Sequence, residues 1–169
     1  GRGVAPRVTL VSYNFLQDSS SAAELDAMVR GLDKNAVSNN SWGDADDGTG
    51  LLTSADALWL MGVRRGTSEG RGGKGIVYLF PAGNGGNDRF PDDSNFDAQA
   101  NSRYVLAIGG VGDDGKRAAY SEPGANVLVS TPSGDRATHY LTTTDITGNP
   151  GYNNGRTPGE PSNANYTQT

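Results

Sequence analysis

An asparagine among glycines follows an apolar run and could take part in acyl-transfer chemistry. Residues 76–80 read Ile-Val-Tyr-Leu-Phe, and the segment PAGNGG at 81–86 follows them directly. Continuous apolar runs are typical of central parallel strands, and open α/β sheets bind ligands at the carboxyl ends of such strands. The amide of Asn84 is therefore placed where it could donate to a developing oxyanion. The alternative is that Asn84 only stabilises a tight glycine turn, and spacing alone favours that alternative.

Two further polar segments suggest ligand sites that their spacing does not support. GRGGKG at 70–75 resembles a phosphate-binding loop, but Lys74 is followed by glycine rather than Ser or Thr, and the segment precedes a strand. DADDG at 44–48 suggests an EF-hand, but its glycine comes too early and the twelfth position counted from Asp44 is Ala55 rather than Glu. The sequence argues against both sites and leaves other calcium geometries open.

Charge and composition narrow the classes of function. The 169 residues carry 14 Lys and Arg against 19 Asp and Glu, and the basic residues are scattered, so nucleic acid is a poor candidate partner. The net charge of -5 suits basic peptides or divalent cations, although it also simply keeps a protein soluble. The absence of cysteine excludes disulfides and thiolate metal sites. No apolar stretch approaches the roughly 20 residues of a membrane-spanning helix.

Hydrophobic periodicity predicts helices and strands that alternate within one domain. The capping-box spacing Ser-x-x-Glu opens a predicted helix at Ser21, and apolar spacing predicts a second helix over Leu51–Arg65 that ends before Gly66. Strands are predicted at Val8–Val11, Ala36–Asn39, Ile76–Phe80, Tyr104–Ile108 and Val127–Ser130. The alternation predicts an α/β sheet with right-handed crossovers. The polar composition after Thr142 predicts a surface loop or disorder.

Five segments together resemble the catalytic domain of kexin- and furin-type subtilisin-like serine proteases. They are GRGVAP at 1–6, NNSWGDADDG at 39–48, GRGGKGIVYLFPAGNGG at 70–86, DDSNFDAQANS at 92–102 and YSEPGANVLVSTPSG at 120–134. The resemblance implies a subtilisin-like α/β fold, a mostly parallel sheet flanked by helices, with only part of the domain present. Residues 1–145 would then be the central part of a subtilase catalytic domain. Residues 146–169 would be a polar loop leading toward a nucleophile segment that this chain lacks.

The resemblance assigns roles around the glycine turn and along one edge strand. Asn84 matches the family's oxyanion donor, which is its predicted catalytic role here. Ser41, Trp42 and Gly43 match the edge that pairs with the substrate backbone, with Trp42 lining the primary specificity pocket. Without the resemblance, core packing of Trp42 and a turn role for Ser41 would be the preferred interpretations.

The resemblance also assigns four acidic residues. Asp46 and Asp97 match two acids of the specificity pocket, which implies a peptide or protein substrate with Arg or Lys before the scissile bond. Three carboxylates match the ligands of a Ca²⁺ ion behind that pocket, namely Asp46, Asp92 and Glu122. Oxygen-only ligands suit calcium, and carboxylates that converge without a cation would raise one another's pKa. The alternative is that these are solvated surface acids.

The catalytic triad of the family finds no match in this chain. His139 is the only histidine and lies in a polar segment that does not match the family's histidine. Gly66-Thr67-Ser68 imitates the nucleophile segment, but it follows a helix, so Ser68 is not expected to be a nucleophile. In the family, the Asp and His segments precede the equivalent of Gly1, and the nucleophile follows the equivalent of Thr169. The chain alone is therefore predicted to be inactive.

Three positions around the pocket depart from the family pattern. Leu52 stands where furin-like members carry an acid for a second, more distant basic subsite, so selectivity for several basic residues is not implied. Asp44 replaces the proline that usually follows the Trp-Gly pair. Ser94 and Phe96 replace the two cysteines that relatives place in this loop, which leaves calcium and packing to hold it.

Taken together, the resemblance implies that the intact protein is a calcium-dependent serine endopeptidase that cleaves after basic residues. It also implies secretion, or a place in the cell envelope or secretory pathway. One alternative is a non-catalytic, calcium-stabilised peptide-binding module. A nucleotide-binding α/β domain is a further alternative, but only the glycine-rich turns suggest it, and fold alone does not decide function.

Overall fold

The computed structural model describes residues 5–18, 20–87, 91–135, 139–148, 150–154 and 161–168. The chain divides into two compact units. The larger unit comprises residues 12–110 and 119–131, and the smaller comprises residues 1–11, 111–118 and 132–169. Every residue of the predicted site belongs to the larger unit.

The main sheet has four strands in the order β1-β2-β3-β4. The strands are β1 (Val37–Asn39), β2 (Val77–Pro81), β3 (Val105–Val111) and β4 (Val127–Pro132). β1 pairs in parallel with β2, and β2 pairs in parallel with β3, with Val37 opposite Val77 and Tyr78 opposite Val105. All four were predicted, although β3 and β4 run further than expected. The parallel pairs need crossover connections, and the helix between β1 and β2 supplies one of them.

Helix α1 (Ser21–Val29) begins where the sequence predicts it. Its N-cap is Ser20, whose hydroxyl oxygen accepts a hydrogen bond from the Ala23 N–H at 3.3 Å. The cap therefore lies one residue before the serine that the capping-box spacing indicated. A capping serine satisfies one of the backbone donors that the first helical turn leaves unpaired.

Helix α2 (Ala57–Gly73) begins and ends later than predicted. Asp56 is its N-cap, because the Asp56 carboxylate accepts hydrogen bonds from the N–H groups of Leu58 and Trp59 at 2.7 and 3.2 Å. The predicted end before Gly66 is also wrong. The helix continues past Gly66 and first leaves helical geometry over residues 70–72. Gly66 serves close packing instead, since it lies against the ring of Tyr78 on β2.

The core of the larger unit lies between the helices and the sheet. It is formed by Met28, Trp59, Val63, Ile76, Tyr78 and Phe80. Trp59 packs edge-on against Phe80 with ring centroids 5.6 Å apart, and the Tyr78 hydroxyl donates to the Met28 carbonyl at 2.5 Å. Burying side chains of this size contributes about 1.5–3 kcal/mol each, so this cluster holds β2 and its following turn in place.

The smaller unit contains a two-stranded antiparallel sheet of β5 (Thr142–Thr144) and β6 (Tyr166–Gln168), with Thr142 opposite Gln168. Strand β6 lies in the segment after Thr142, for which the polar composition predicts a surface loop or disorder. The buried amide of Asn153 donates to the carbonyls of Pro161 and Tyr166 at 2.8 and 2.7 Å.

The strand predicted at Val8–Val11 is absent from the described residues of the smaller unit. Residues 6–8 form a turn instead, in which the Val8 N–H donates to the Ala5 carbonyl at 3.2 Å. Neither helix is long and apolar enough to cross a membrane, so far as the described ranges extend.

Candidate active site

The turn that follows β2 carries the predicted oxyanion donor. Gly83 has a φ of +104°, and a Cβ on it would lie 2.1 Å from Oε1 of Glu122, so this position requires glycine. Asn84 is exposed at the carboxyl end of the parallel sheet. Its backbone N–H and its side-chain amide both donate to Asp46, at 2.9 Å to Oδ1 and 3.3 Å to Oδ2. The amide is thus at the predicted place, but it points toward a carboxylate.

A pocket of about 150 Å³ opens beside this turn. Six predicted residues line it together, namely Ser41, Trp42, Gly43, Asp46, Asn84 and Asp97. They come from the segment after β1, the turn after β2 and the loop before β3. Because β1 and β2 are parallel neighbours, their carboxyl ends meet at one edge of the sheet, which brings the first two of these segments together.

Trp42 both packs against aromatic side chains and lines the pocket. Its ring packs edge-on between Phe15 and Phe80, with centroid distances of 4.9 and 5.1 Å. It is half-buried and also lines the pocket. Edge-to-face aromatic pairs favour one fixed orientation, so the pocket wall is anchored to the core.

The pocket is strongly acidic. Burial is the largest cause that raises the pKa of Asp97, to about 6, and nearby carboxylates raise it further. Those carboxylates belong to Asp44, Asp46, Asp92 and Asp93. Burial and repulsion between carboxylates both disfavour the ionised form of Asp97. A cation in the pocket would stabilise that ionised form, so the pocket favours cationic ligands.

The three predicted calcium ligands surround the same glycine turn. Asp46 binds Asn84 as described above, and Oε1 of the buried Glu122 accepts the Gly85 N–H at 3.1 Å. Asp92 is also buried, and a Cβ on Gly85 would lie 2.7 Å from its Oδ2. All three carboxylates therefore touch or flank residues 83–85. Within the described ranges, however, no three acidic or histidine side chains are gathered closely enough to hold a metal ion.

The hydrogen bonding of the buried carboxylates is unequal. Oδ2 and Oδ1 of Asp92 accept the N–H groups of Gly48 and Gly50 at 2.9 and 3.3 Å. Oε2 of Glu122, by contrast, is buried without a hydrogen-bond partner among the described residues. Burial is the main reason that the pKa of Glu122 rises to about 8; the Gly85 N–H lowers it, and Asp97 and Asp46 raise it further. An unpartnered buried carboxylate oxygen is costly, and a cation would satisfy it.

Two polar side chains that line the pocket were not predicted. Asp44, noted only as a departure from the family pattern, lines the pocket, and its Oδ2 accepts the Ala98 N–H at 3.1 Å. Gln99 also lines the pocket, and its Oε1 is buried without a partner in the described part of the chain. The replacement of the family's proline by Asp44 is a feature of the sequence that could have indicated a role for this residue in the pocket. No local pattern marks Gln99, since only the folded loop turns it toward the pocket.

A second pocket, of about 450 Å³, adjoins the first across Asp97. Its lining includes Leu52, Trp59, Leu60 and Tyr104. The larger cavity therefore combines apolar and aromatic side chains with the polar side chains of Thr53, Asn101, Ser102 and Arg103. Leu52 stands in this wall, at the position where the family pattern has an acid.

The residues that imitate a triad serve structural roles. The Ser68 hydroxyl donates back to the Arg64 carbonyl within α2 at 2.9 Å, as helical serines commonly do. His139 pairs with Asp113 on the surface of the smaller unit.

The sequence matches the pattern of the Subtilase family over residues 1–160. The chain belongs to the subtilase family. Among its relatives, kexin of Candida albicans (strain WO-1) is 38% identical over 147 residues, which are 86% of this chain and 15% of that protein. Neuroendocrine convertase 2 of Homo sapiens is 31% identical over 145 residues, covering 84% of this chain and 22% of that protein. The subtilase chain thus spans about a fifth of the length of these relatives.

Solved structures confirm the subtilisin-like α/β fold. The serine protease of Aeromonas sobria, in complex with the chaperone ORF2, superposes with a TM-score of 0.78 at 25% identity. The match covers 99% of this chain and 33% of the protease. A lanthipeptide protease superposes with a TM-score of 0.67 at 19% identity, covering 99% of this chain and 52% of that one, and supports the fold alone.

Proposed function

We propose that the whole protein is a serine endopeptidase that cleaves peptide bonds after basic residues. The observation that carries this proposal is the acidic pocket beside Asn84, which unites the six predicted residues. A relative from Schizosaccharomyces pombe, 34% identical over 144 residues, is named a dibasic-processing endoprotease, and its name supports the same class of substrate. By analogy with the kexin and convertase relatives, the protein is proposed to be secreted or to act in the cell envelope or secretory pathway.

The pocket would orient the substrate for acyl transfer. An extended substrate backbone would pair with Ser41–Gly43, which leaves selectivity to the side chain that enters the pocket. A basic side chain there would meet Asp46 and Asp97, and charge-assisted hydrogen bonds in a partly dry pocket are strong. The scissile carbonyl would then lie near Asn84, whose amide would donate to the developing oxyanion. Other segments of the protein would supply the nucleophile and its base.

We also propose that the glycine turn holds a calcium ion. Among the candidate ligand oxygens, Oε2 of Glu122 most needs a partner. Asp46 and Asp92 supply further carboxylate oxygens around the same turn. This donor set fits Ca²⁺, which prefers oxygen ligands with flexible geometry. The bound ion would supply positive charge to carboxylates that otherwise repel one another. The three ligands must move closer together to hold it, since they are not grouped at metal-binding distance.

The proposed substrate selectivity is tested on the complete protease domain with peptides that differ only in Arg, Lys or Leu before the scissile bond. We expect kcat/KM for the Arg peptide to exceed that for the Leu peptide, and Asp97→Asn to lower the Arg value roughly 100-fold, as when one partner of a buried charge pair is removed. The exposed Asp33 gives a matched control, and Asp33→Asn should change neither value. Equal cleavage of the three peptides would contradict the proposal. Tight binding of the Arg peptide without cleavage would instead favour the non-catalytic module.

The calcium site is tested by the thermal stability of the same domain with Ca²⁺ and with a chelator. A ligand at about 100 times its Kd stabilises the folded state by about 2.7 kcal/mol, so Ca²⁺ should raise Tm by about 5 °C or more. Glu122→Gln should remove most of this increase. Glu69→Gln, which alters an exposed glutamate paired with Arg65 on α2, should retain it. An equal calcium shift in both variants would place the ion elsewhere.

A further inference from the structure

Asp44 brings a carboxylate to the pocket where the family pattern has a proline. It is half-buried and lines the same cavity as Asp46 and Asp97. Proline carries no charge and no side-chain acceptor, so the exchange changes the chemistry of the wall as well as its shape. The pocket therefore carries three carboxylates rather than the two that the family pattern accounts for.

The Asp44 carboxylate is held in place by the loop that carries Asp97. Its Oδ2 accepts hydrogen bonds from the Ala98 N–H at 3.1 Å and from the Thr53 hydroxyl. The Ala98 N–H is also 2.9 Å from the hydroxyl oxygen of Thr53, and the Thr53 N–H donates to the Phe96 carbonyl at 3.0 Å. These contacts fix Asp44 beside Asp97. Because both hydrogen bonds to Asp44 fall on Oδ2, its Oδ1 can accept from a ligand.

Two observations bear on the kind of side chain that this pocket would favour. Asp44 is first among the carboxylates whose charge raises the pKa of Asp97, after the larger effect of burial. The two acids therefore share one electrostatic environment that a cation would relieve. In addition, Oε1 of Gln99 is a buried acceptor without a partner among the described residues of the pocket wall. Acceptors on several walls suit a side chain with several N–H donors.

We propose that Asp44 is a third specificity carboxylate of this pocket, which strengthens its selection of a cationic substrate side chain over an apolar one. This inference rests on the proposed protease function and goes beyond the two acids assigned by the resemblance. Asp44 would act through its charge on the bound side chain. Its hydrogen bonds to the loop serve to keep that charge in position.

The test compares Asp44→Asn with the unmodified complete domain on the Arg, Lys and Leu peptides. We expect kcat/KM for the Arg and Lys peptides to fall about tenfold, mainly through KM, and that for the Leu peptide to change less than twofold. Asp44→Glu keeps the charge and should restore most of the preference for Arg. Asp33→Asn is the matched control, since Asp33 is an exposed carboxylate that does not line the pocket. It should remain close to the unmodified domain.

A further variant separates charge from loop structure. Thr53→Val removes the hydroxyl that binds Asp44 but leaves the carboxylate, so it should retain the ratio of Arg to Leu cleavage. An equal loss on all three peptides in Asp44→Asn, or an unchanged ratio, would overturn the inference. If the unmodified domain itself fails to prefer Arg over Leu, the proposed function fails. If that preference exists and survives Asp44→Asn, only the role of Asp44 fails.

Discussion

Replacing Asn84 by alanine in the complete protease domain is expected to lower kcat by about 10²–10³-fold while KM for an Arg peptide stays nearly constant. The range is that measured on removing an oxyanion-hole asparagine from subtilisin. The physical reason is that negative charge develops on the substrate oxygen only in the transition state. Loss of the amide donor therefore raises the activation barrier but leaves substrate binding nearly unchanged. Steady-state kinetics on the Arg peptide measures the effect.

Two features make the Asn84 experiment interpretable. The backbone N–H of Asn84 donates to Asp46 at 2.9 Å and survives the substitution, so the turn keeps one of its two ties to the pocket acid. The exposed Asn14, which pairs with Gln17 and does not line the pocket, offers a control in which another asparagine is truncated. An Asn84→Ala domain with unchanged kcat and a higher KM would show that Asn84 binds substrate rather than stabilises the oxyanion.

Replacing Gly66 by alanine is expected to destabilise the domain by about 3 kcal/mol, at the upper end of what overpacking a close-packed core costs. A Cβ on Gly66 would lie 1.7 Å from the Tyr78 hydroxyl oxygen and 2.6 Å from Cζ of that ring. The ring is fully buried and its hydroxyl donates to the Met28 carbonyl, so it cannot turn away without losing that bond. Denaturant unfolding of the complete domain measures the change.

A second substitution tests the stated cause of this loss. Tyr78→Phe removes the atom that meets the new methyl group most closely, so Gly66→Ala combined with Tyr78→Phe should cost less than the sum of the two single changes. Ser68→Ala, on the exposed side of the same helix, should stay within about 0.5 kcal/mol of the unmodified domain. Strict additivity in the double variant would show that the crowding lies elsewhere.

The sheet was largely predictable because its strands are short apolar runs bounded by turn residues. The run at Ile76–Phe80 became β2 almost unchanged, and its following turn placed Asn84 correctly. Apolar spacing alone predicts the start of α2 too early, because the capping carboxylate of Asp56 decides where the helix begins. Glycine commonly marks a helix end, but Gly66 lies within α2 and leaves room for the Tyr78 ring.

The members of the pocket were predictable only through the family resemblance. Asp46, Asn84 and Asp97 lie in three separate segments of the sequence. The parallel pairing of β1 and β2 brings the first two segments to one edge of the sheet, and the connection before β3 carries the third. Asp44 departs from the family pattern, and Gln99 lies within DDSNFDAQANS but has no role that the resemblance assigns, so neither was predicted to line the pocket. The hydrogen bonds from Asn84 to Asp46 could not be predicted either, because side-chain orientation depends on the folded turn.

The paired hydrogen bonds between Asn84 and Asp46 bear on the design of inhibitors. A guanidinium that binds Asp46 competes with the two Asn84 donors that already bind this carboxylate. Each hydrogen bond from Asn84 that it displaces reduces the net gain in binding free energy by about 0.5–1.5 kcal/mol. A cationic group that reaches Asp97 and Asp44 instead avoids this competition and leaves the Asn84 amide turned toward Asp46. Such a compound would bind the resting arrangement of the turn rather than imitate a substrate.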